Sequence, residues 1–251
     1  AKWTGKRVAV LYGGQSTERE VSLRTGKACA DALVSKGYAV VLVDADRDLA
    51  ARLREGRIDV AFNALHGRWG EDGCVQGLLE VMGVPYTGSG VLASAMGMDK
   101  VVAKAMFQAL GIPVIDYRVF PAARAAAISP ADLPFGLPCV VKPSGEGSSV
   151  GVHLVKEAAK LGPACLDAAT FKGDVIVERY VKGAEVNVAV LDGDALGAIE
   201  IVPANEFYDY AAKYTAGTTQ YFYPARIPVA HRARGPRRPP AQHGARHAGG
   251  G

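Results

Sequence analysis

The feature that most constrains this chain is an alternation of strand-like and helix-like segments over its first 83 residues. Apolar runs typical of buried strands occur at residues 7–12, 39–44 and 58–65, and amphipathic helical patterns follow them at 21–37, 49–56 and 74–83. The links between them are only a few residues long, apart from the loop HGRWGEDG. Such alternation predicts a parallel sheet with helices on both faces, a Rossmann-like α/β arrangement.

The pattern changes beyond a helical segment at residues 92–111, which is expected to pause near Gly97. Four strand patterns follow, and a hairpin at 185–202 is expected around an Asp-Gly turn. The strands are predicted at residues 114–120, 137–144, 151–156 and 174–181, and one helix, with an expected break at Pro163, at 157–170. This part of the chain is therefore expected to be more antiparallel and to form mixed α+β structure.

The net charge of +4 gives little information about partners, because it comes from the end of the chain. Residues 229–251 contain five arginines and no acidic residue, whereas the other 228 residues carry 24 basic and 25 acidic groups. A nearly neutral body offers no electrostatic basis for binding nucleic acid or a membrane. The final segment also lacks apolar periodicity, so it is expected to be disordered.

Cysteine usage and the apolar runs indicate a cytoplasmic protein. The four cysteines are far apart and form no C-x-x-C pair, which favours reduced thiols over disulfides or a zinc site. The N-terminal residues lack the apolar core of an export signal, and no run approaches the roughly 20 apolar residues of a membrane span.

The segment GGQSTEREVS places acidic residues where a strand turns into a helix. Thr17 and Glu20 fit a capping box, with Thr17 as the cap and Glu20 at the third helical position. Glu18 would then be the first helical residue. It is either a solvated partner of the helix dipole or, since ligands bind beyond the carboxyl ends of parallel strands, an anchor for an amine.

Two further loops carry candidate binding groups. His66 is the first residue of HGRWGEDG, at the equivalent place after the third strand. It either has only a structural role in the turn or contacts a polar group of a ligand. In VVKPSGEGSSVGV, Lys142 ends an apolar strand and a Gly/Ser-rich turn follows. Because the lysine precedes the glycines and no helix follows, this is not a Walker A loop. A flexible hairpin above a lysine favours nucleotide phosphate binding over a plain mobile turn.

The remaining candidates lie in the second half of the chain. Glu178 and Glu185 flank a turn, where they are either solvated or acceptors for an adenine amino group and ribose hydroxyls. FYDYAAKYTAGTTQYFYP, at 207–224, is expected to be a long aromatic loop that folds over a ligand.

Taken in order, these motifs resemble one enzyme family. The chain is similar to bacterial D-alanine–D-alanine ligases of the ATP-grasp superfamily over residues 6 to about 228. The resemblance rests on KRVAVLYGGQSTEREVS, LHGRWGEDG, MGMDK, VVKPSGEGSSVGV and FYDYAAKYTAGTTQYFYP. It implies that ATP, with Mg²⁺ or Mn²⁺, phosphorylates the carboxylate of one D-alanine. The amine of a second D-alanine then attacks the acyl phosphate, giving the dipeptide for peptidoglycan.

The resemblance also implies residue roles. Glu18 would hold the ammonium of the first D-alanine, with Val21 and His66 lining that site, and Ser148 and Tyr214 would hydrogen-bond toward Glu18. The nucleotide would be bound by Lys100, Lys142, Ser148, Glu178, Tyr180, Val181, Glu185, Phe207 and Lys213. Tyr214 favours a dipeptide former over a ligase that uses D-lactate. Relatives are usually homodimers.

The resemblance implies an ATP-grasp architecture divided into four segments. These are an N-terminal substrate-binding domain at 1–96, a central domain at 97–181, a partial C-terminal domain at 182–228 and a basic tail at 229–251. The tail departs from the family pattern and resembles a GC-rich gene read in a shifted frame. The family's metal ligands and an arginine over the reacting centre are missing, so little ligase activity is expected.

Three alternatives remain open from the sequence. The chain is another ATP-grasp ligase using D-serine or D-lactate, or a ligand-binding remnant without catalysis, or its basic tail is a nucleic-acid arm. The tail has no aromatic residue for stacking on bases, which argues against the last of these.

Overall fold

The computed structural model describes residues 3, 5–171, 173–204, 215 and 217–228. The chain separates into two compact units, residues 1–180 and 181–251. The four-segment division predicted from the sequence, with its boundary at 96/97, stays a prediction. Among the described residues, no helix is long and apolar enough to cross a membrane.

The first part of the larger unit is a three-stranded parallel sheet in the order β2–β1–β3. Its strands and helices follow the chain as β1 (Arg7–Tyr12), α1 (Arg19–Ser35), β2 (Ala39–Asp44), α2 (Leu49–Glu55), β3 (Val60–Asn63) and α3 (Cys74–Val81). Side chains alternate along β1: Ala9 and Leu11 belong to one buried cluster, and Val10 to another that includes Ala30 of α1. The predicted parallel α/β fold with apolar clusters on both faces is confirmed.

Two short helices lead to a second, antiparallel sheet in the order β4–β7–β5–β6. The helices and strands of this part of the chain are, in order, α4 (Val91–Met98), α5 (Lys100–Ala109), β4 (Tyr117–Phe120), β5 (Cys139–Pro143), β6 (His153–Val155), α6 (Ala158–Ala168) and β7 (Val175–Arg179). The predicted helical pause is present, but it falls at Asp99, whose carboxylate accepts from the N–H groups of Val101 and Val102 and so starts α5.

The predicted break at Pro163 is wrong, because α6 runs through that residue. An interior proline costs a helix about 3 kcal/mol. The buried face of α6, which includes Leu161 and Cys165, lies in the same apolar cluster as Val141 and Val177 of the sheet, and this burial outweighs the cost.

The smaller unit contains a three-stranded antiparallel sheet formed by β8 (Glu185–Leu191), β9 (Asp194–Pro203) and β10 (Thr219–Phe222). The predicted hairpin is confirmed, and Asp192 and Gly193 at its turn both have positive φ, as a tight Asp-Gly turn requires. The expectation of a single aromatic loop at 207–224 is wrong for Thr219–Phe222. These residues pair with Glu200–Pro203 of β9, which satisfies their backbone hydrogen bonds as a strand.

The four cysteines are free, as expected, and Cys139 and Cys165 are buried. Burial raises the pKa of each of these two thiols to about 11. Both therefore remain protonated near neutral pH and pack as small apolar groups.

Candidate functional site

The carboxylate of Glu18 lies where β1 turns into α1, and it is 2% exposed. Glu18 is the residue that precedes the helix, because the N–H of Ser22 donates to its carbonyl oxygen. The predicted capping box of Thr17 and Glu20 is wrong: α1 has no side-chain cap. The hydroxyl of Ser16 instead accepts from the N–H of Glu18, at 3.2 Å, which leaves the Glu18 side chain to point elsewhere.

That side chain meets the Gly/Ser-rich loop between β5 and β6. The hydroxyl of Ser148, 130 residues further along the chain, donates to Glu18 Oε1. Gly147 also lies close to this carboxylate, since a Cβ added there would be 3.1 Å from Glu18 Oε2. Ser148 and Ser149 both have positive φ, a backbone region that residues other than glycine rarely occupy. The loop is therefore held against the helix in a strained conformation.

The loop after β3 approaches Glu18 from the other side. A Cβ added to Gly67 would be 2.7 Å from Glu18 Oε2, and Gly67 has φ +65°. Its N–H donates to Glu71 Oε2 at 3.0 Å. His66 Nδ1 lies 3.9 Å from Glu71 Oε1, and its Nε2 is 3.2 Å from the Thr25 hydroxyl of α1. His66 is thus tied to both α1 and its own loop.

Glu71 adds a second carboxylate that the sequence reasoning did not select. Desolvation raises the pKa of Glu71, and the charge of Glu18 raises it further. A cavity of about 490 Å³ borders Glu71 and Gly147 and extends to Lys100. This volume is ample for a small amino acid.

Three lysines and one glutamate form the next part of the site. Lys100, the first residue of α5, donates to the carbonyl oxygens of Pro143 at 3.1 Å and of Glu146 in the Gly/Ser-rich loop. Burial, followed by repulsion from Lys142, lowers the pKa of Lys100 to about 8. Lys142 Nζ lies 2.5 Å from Glu178 Oε2, and Lys104 Nζ lies 2.8 Å from Glu178 Oε1.

The expected site residues therefore fall into three groups. The first group is linked by direct contacts or by the loops that carry its residues: Glu18, His66, Ser148, Lys100, Lys142 and Glu178. Val21 is buried in the first turn of α1. Tyr180 follows β7, and its N–H donates to the carbonyl oxygen of Pro138 at 3.2 Å. Val181 and Glu185 belong to the smaller unit. The expectations for Phe207, Lys213 and Tyr214 lie outside the described residues.

Lys104 also belongs to this part of the site, although no motif in the sequence predicted it. The available signal was its spacing from Lys100: residues four apart share one face of a helix, and two lysines there repel unless each has an acceptor. The structure supplies loop carbonyls for Lys100 and Glu178 for Lys104.

Comparisons with known proteins match this arrangement to one family. The model for the D-ala D-ala ligase C-terminus matches residues 106–234, and that for the D-ala D-ala ligase N-terminus matches residues 49–89. A D-alanine–D-alanine ligase from Anaeromyxobacter sp. (strain Fw109-5) is 76% identical over 233 residues, which span 93% of this chain and 76% of that protein. This chain belongs to the D-alanine–D-alanine ligase family.

Solved structures of the family agree with this assignment. The ligase from Bacillus anthracis superimposes with a TM-score of 0.76 at 35% identity, covering 90% of this chain and 73% of that one. The same enzyme complexed with ATP gives 0.73 at 32% identity, with coverages of 89% and 72%. The D-Ala:D-Ser ligase VanG from Enterococcus faecalis gives 0.74 at 30% identity, covering 91% of this chain and 79% of that one. The predicted ATP-grasp fold is therefore confirmed.

Proposed function

We propose that this chain is an ATP-dependent ligase that joins two D-alanine molecules for peptidoglycan synthesis. The γ-phosphoryl group of ATP passes to a carboxylate oxygen of the first D-alanine, which gives an acyl phosphate and ADP. The amine of the second D-alanine attacks the acyl carbon, phosphate leaves, and the amine loses a proton. The observation that carries the proposal is the contact between the buried Glu18 carboxylate and Ser148 of the Gly/Ser-rich loop.

Glu18 is proposed to bind the ammonium group of the first D-alanine. A carboxylate that is 2% exposed has lost most of its water, so an ammonium ion is a strong replacement partner. Val21 would contact the methyl group. His66, held by Thr25 and near Glu71, would form another wall of the site.

Phosphate binding is proposed for Lys100, Lys142 and Ser148. Phosphoryl transfer depends mainly on positioning and on neutralising charge, which lysines supply as point charges. In their present contacts, Lys100 is bonded to loop carbonyl oxygens and Lys142 to Glu178. A polyphosphate would have to draw both ammonium groups away from these partners.

Glu178 and Tyr180 are proposed to contact the adenine. The nucleotide-binding roles of Val181, Glu185, Phe207 and Lys213 are proposed from the resemblance alone. Tyr214 is proposed, from the resemblance alone, to favour an amine over a hydroxyl as second substrate. An acyl phosphate hydrolyses in water, so loops that close over the cleft would protect it.

The divalent ion that the resemblance implies does not fit the described residues. Among them, no group of three or more His, Cys, Asp or Glu side chains is placed to hold a metal ion. The roles proposed above are therefore those of the chain's own side chains alone.

D-alanine is the proposed substrate and the cytoplasm the proposed location. A second copy of the chain is the proposed partner, which is what the resemblance implies. No nucleic acid or membrane partner is proposed, in keeping with the nearly neutral body of the chain.

The test compares three proteins for ADP, phosphate and dipeptide formation from ATP and D-alanine. These are the 251-residue chain, the Anaeromyxobacter relative, and a chimera in which residues 1–228 continue into that relative's C-terminal segment. We expect the chimera to form D-alanyl-D-alanine and the chain alone to bind D-alanine and ATP. A folded chimera that binds neither ligand would refute the proposal.

One comparison favours a second candidate, since a D-Ala:D-Ser ligase superimposes about as well as the D-alanine–D-alanine ligases. The chimera should therefore be offered D-serine and D-lactate as second substrates. Preferred formation of D-alanyl-D-serine would establish the alternative instead.

A further inference from the structure

Helix α5 directs two lysines toward the proposed nucleotide site, and only the first was expected to act there. Lys100 is bonded to carbonyl oxygens of the Gly/Ser-rich loop, and Lys104, one helical turn later, reaches Glu178 on β7. The side chain of Lys104 is 14% exposed. A lysine this deeply buried is rare without a specific partner.

Glu178 is 4% exposed and has a lysine on each carboxylate oxygen. Lys104 lies 2.8 Å from Oε1 and Lys142 lies 2.5 Å from Oε2. Tyr117 on β4 pairs with Glu178 across the sheet, and the ammonium group of Lys104 lies 4.8 Å from the centre of its ring. Lys104 is therefore fixed by an ion pair and a cation–π contact, two interactions that restrict its rotamer.

The two lysines keep Glu178 ionised. Burial alone would raise the pKa of Glu178, but the adjacent ammonium groups of Lys142 and Lys104 outweigh it and lower the pKa below its usual value. The site is thus an anion held between two cations, with Lys100 as a third positive charge nearby.

The two partners of Glu178 are not equivalent in the proposed reaction. A polyphosphate would attract Lys142, which the proposed function assigns to phosphate. Glu178 would then be left with one cation. The proposed function gives Lys104 no contact with the phosphates. Lys104 would therefore stay beside Glu178 and over the ring of Tyr117.

We propose that Lys104 is a positioning residue, which keeps Glu178 charged and aimed at the adenine amino group when Lys142 moves to the phosphates. This inference rests on the proposed function. Losing Lys104 should weaken recognition of the base and leave recognition of the phosphates nearly unchanged.

The experiment measures equilibrium binding of ATP, adenosine and inorganic tripolyphosphate to the 251-residue chain and its variants. For Lys104→Met we expect about tenfold weaker binding of ATP and adenosine, the loss typical of one charge-assisted hydrogen bond, and tripolyphosphate binding within twofold of wild type. Lys104→Arg should restore adenosine binding to within threefold. Lys160→Met, at an exposed lysine of α6, is the matched control and should change nothing.

Two results would overturn the inference. One is Lys104→Met binding adenosine as tightly as wild type; the other is an equal loss for adenosine and tripolyphosphate, which would indicate a merely structural residue. If Lys104→Met does not fold, Lys104→Gln is compared with Lys104→Arg under the same criteria. If the wild-type chain binds ATP, and Lys104→Met and Lys104→Arg bind adenosine equally well, only the role of Lys104 is refuted. If the wild-type chain binds no ATP, the proposed function is refuted as well.

Discussion

Replacing Glu18 with glutamine is the most direct test of the proposed substrate site. The change keeps the shape and volume of a side chain that is 2% exposed, so the packing around it should survive. An amide oxygen still accepts from the Ser148 hydroxyl. What is lost is the negative charge proposed to meet the ammonium group of D-alanine.

The structure sets the expected magnitude. A hydrogen bond to a charged group contributes roughly 1.5–3 kcal/mol, and each 1.4 kcal/mol changes an affinity tenfold. Glu18→Gln should therefore weaken D-alanine binding by about 10- to 100-fold. The free energy of unfolding should stay within about 1 kcal/mol of wild type, because the amide keeps the volume of the side chain and still accepts from the Ser148 hydroxyl.

Calorimetric titration with D-alanine and chemical unfolding of the same samples measure both quantities. Glu20→Gln is the matched control, since Glu20 lies two residues away on α1, is exposed, and should leave D-alanine binding unchanged. The reasoning fails if Glu18→Gln binds D-alanine within twofold of wild type. It also fails if the variant loses several kcal/mol of stability, because Glu18 would then be a structural residue.

Two further predictions concern the loops and lysines around this carboxylate. Gly67→Ala should destabilise the fold by about 1–2 kcal/mol and weaken D-alanine binding, since Gly67 has φ +65° and the new Cβ would lie 2.7 Å from Glu18 Oε2. Chemical unfolding checks this against Gly162→Ala in α6, where a Cβ meets no atom within 4 Å and a neutral or stabilising change is expected; equal effects would contradict the prediction. Lys100 has a pKa of about 8 in the folded chain, against 10.5 for an unperturbed lysine. Between these values the unfolded chain binds more protons at this site, so Lys100 should make stability rise with pH from 8 to 10.5. Thermal melts of wild type and Lys100→Met across that range measure this contribution as a difference, and parallel pH dependences would refute it.

Much of the first domain could be predicted from its sequence because local pattern and tertiary role agree there. β1 and β2 have the predicted bounds, and α1 begins two residues before its predicted start. Uniformly apolar runs between short turns leave a buried parallel strand as the simplest interpretation.

The errors arose where a distant contact outweighed a local signal. Thr17 and Glu20 satisfy the sequence pattern of a capping box. The Ser16 hydroxyl, which donates to the distant carbonyl oxygen of His66, accepts from the N–H of Glu18 instead. Pro163 is tolerated because α6 is packed on a sheet, and Thr219–Phe222 become a strand because β9 offers an edge. None of these partners is visible within a short window of sequence.

The candidate site shows the same division. The resemblance implied that Ser148 approaches Glu18, and the structure contains that hydrogen bond between residues 130 positions apart. The pairing of Lys104 with Glu178 went unnoticed, since it depends on how α5 crosses the second sheet. The roles of these residues in binding and catalysis stay predictions.

Two hydrogen bonds hold the Gly/Ser-rich loop. Ser148 of the loop donates to Glu18, and Lys100 donates to the carbonyl oxygen of Glu146 in the loop. The side chains that hold this loop in place are thus the ones proposed to bind the substrates. For a ligand that binds only when the loop is open, the apparent affinity is the intrinsic affinity reduced by the open fraction. A ligand that binds here must replace the two hydrogen bonds that hold the loop. The loop therefore selects molecules whose charged groups can bond to Glu18 or Lys100.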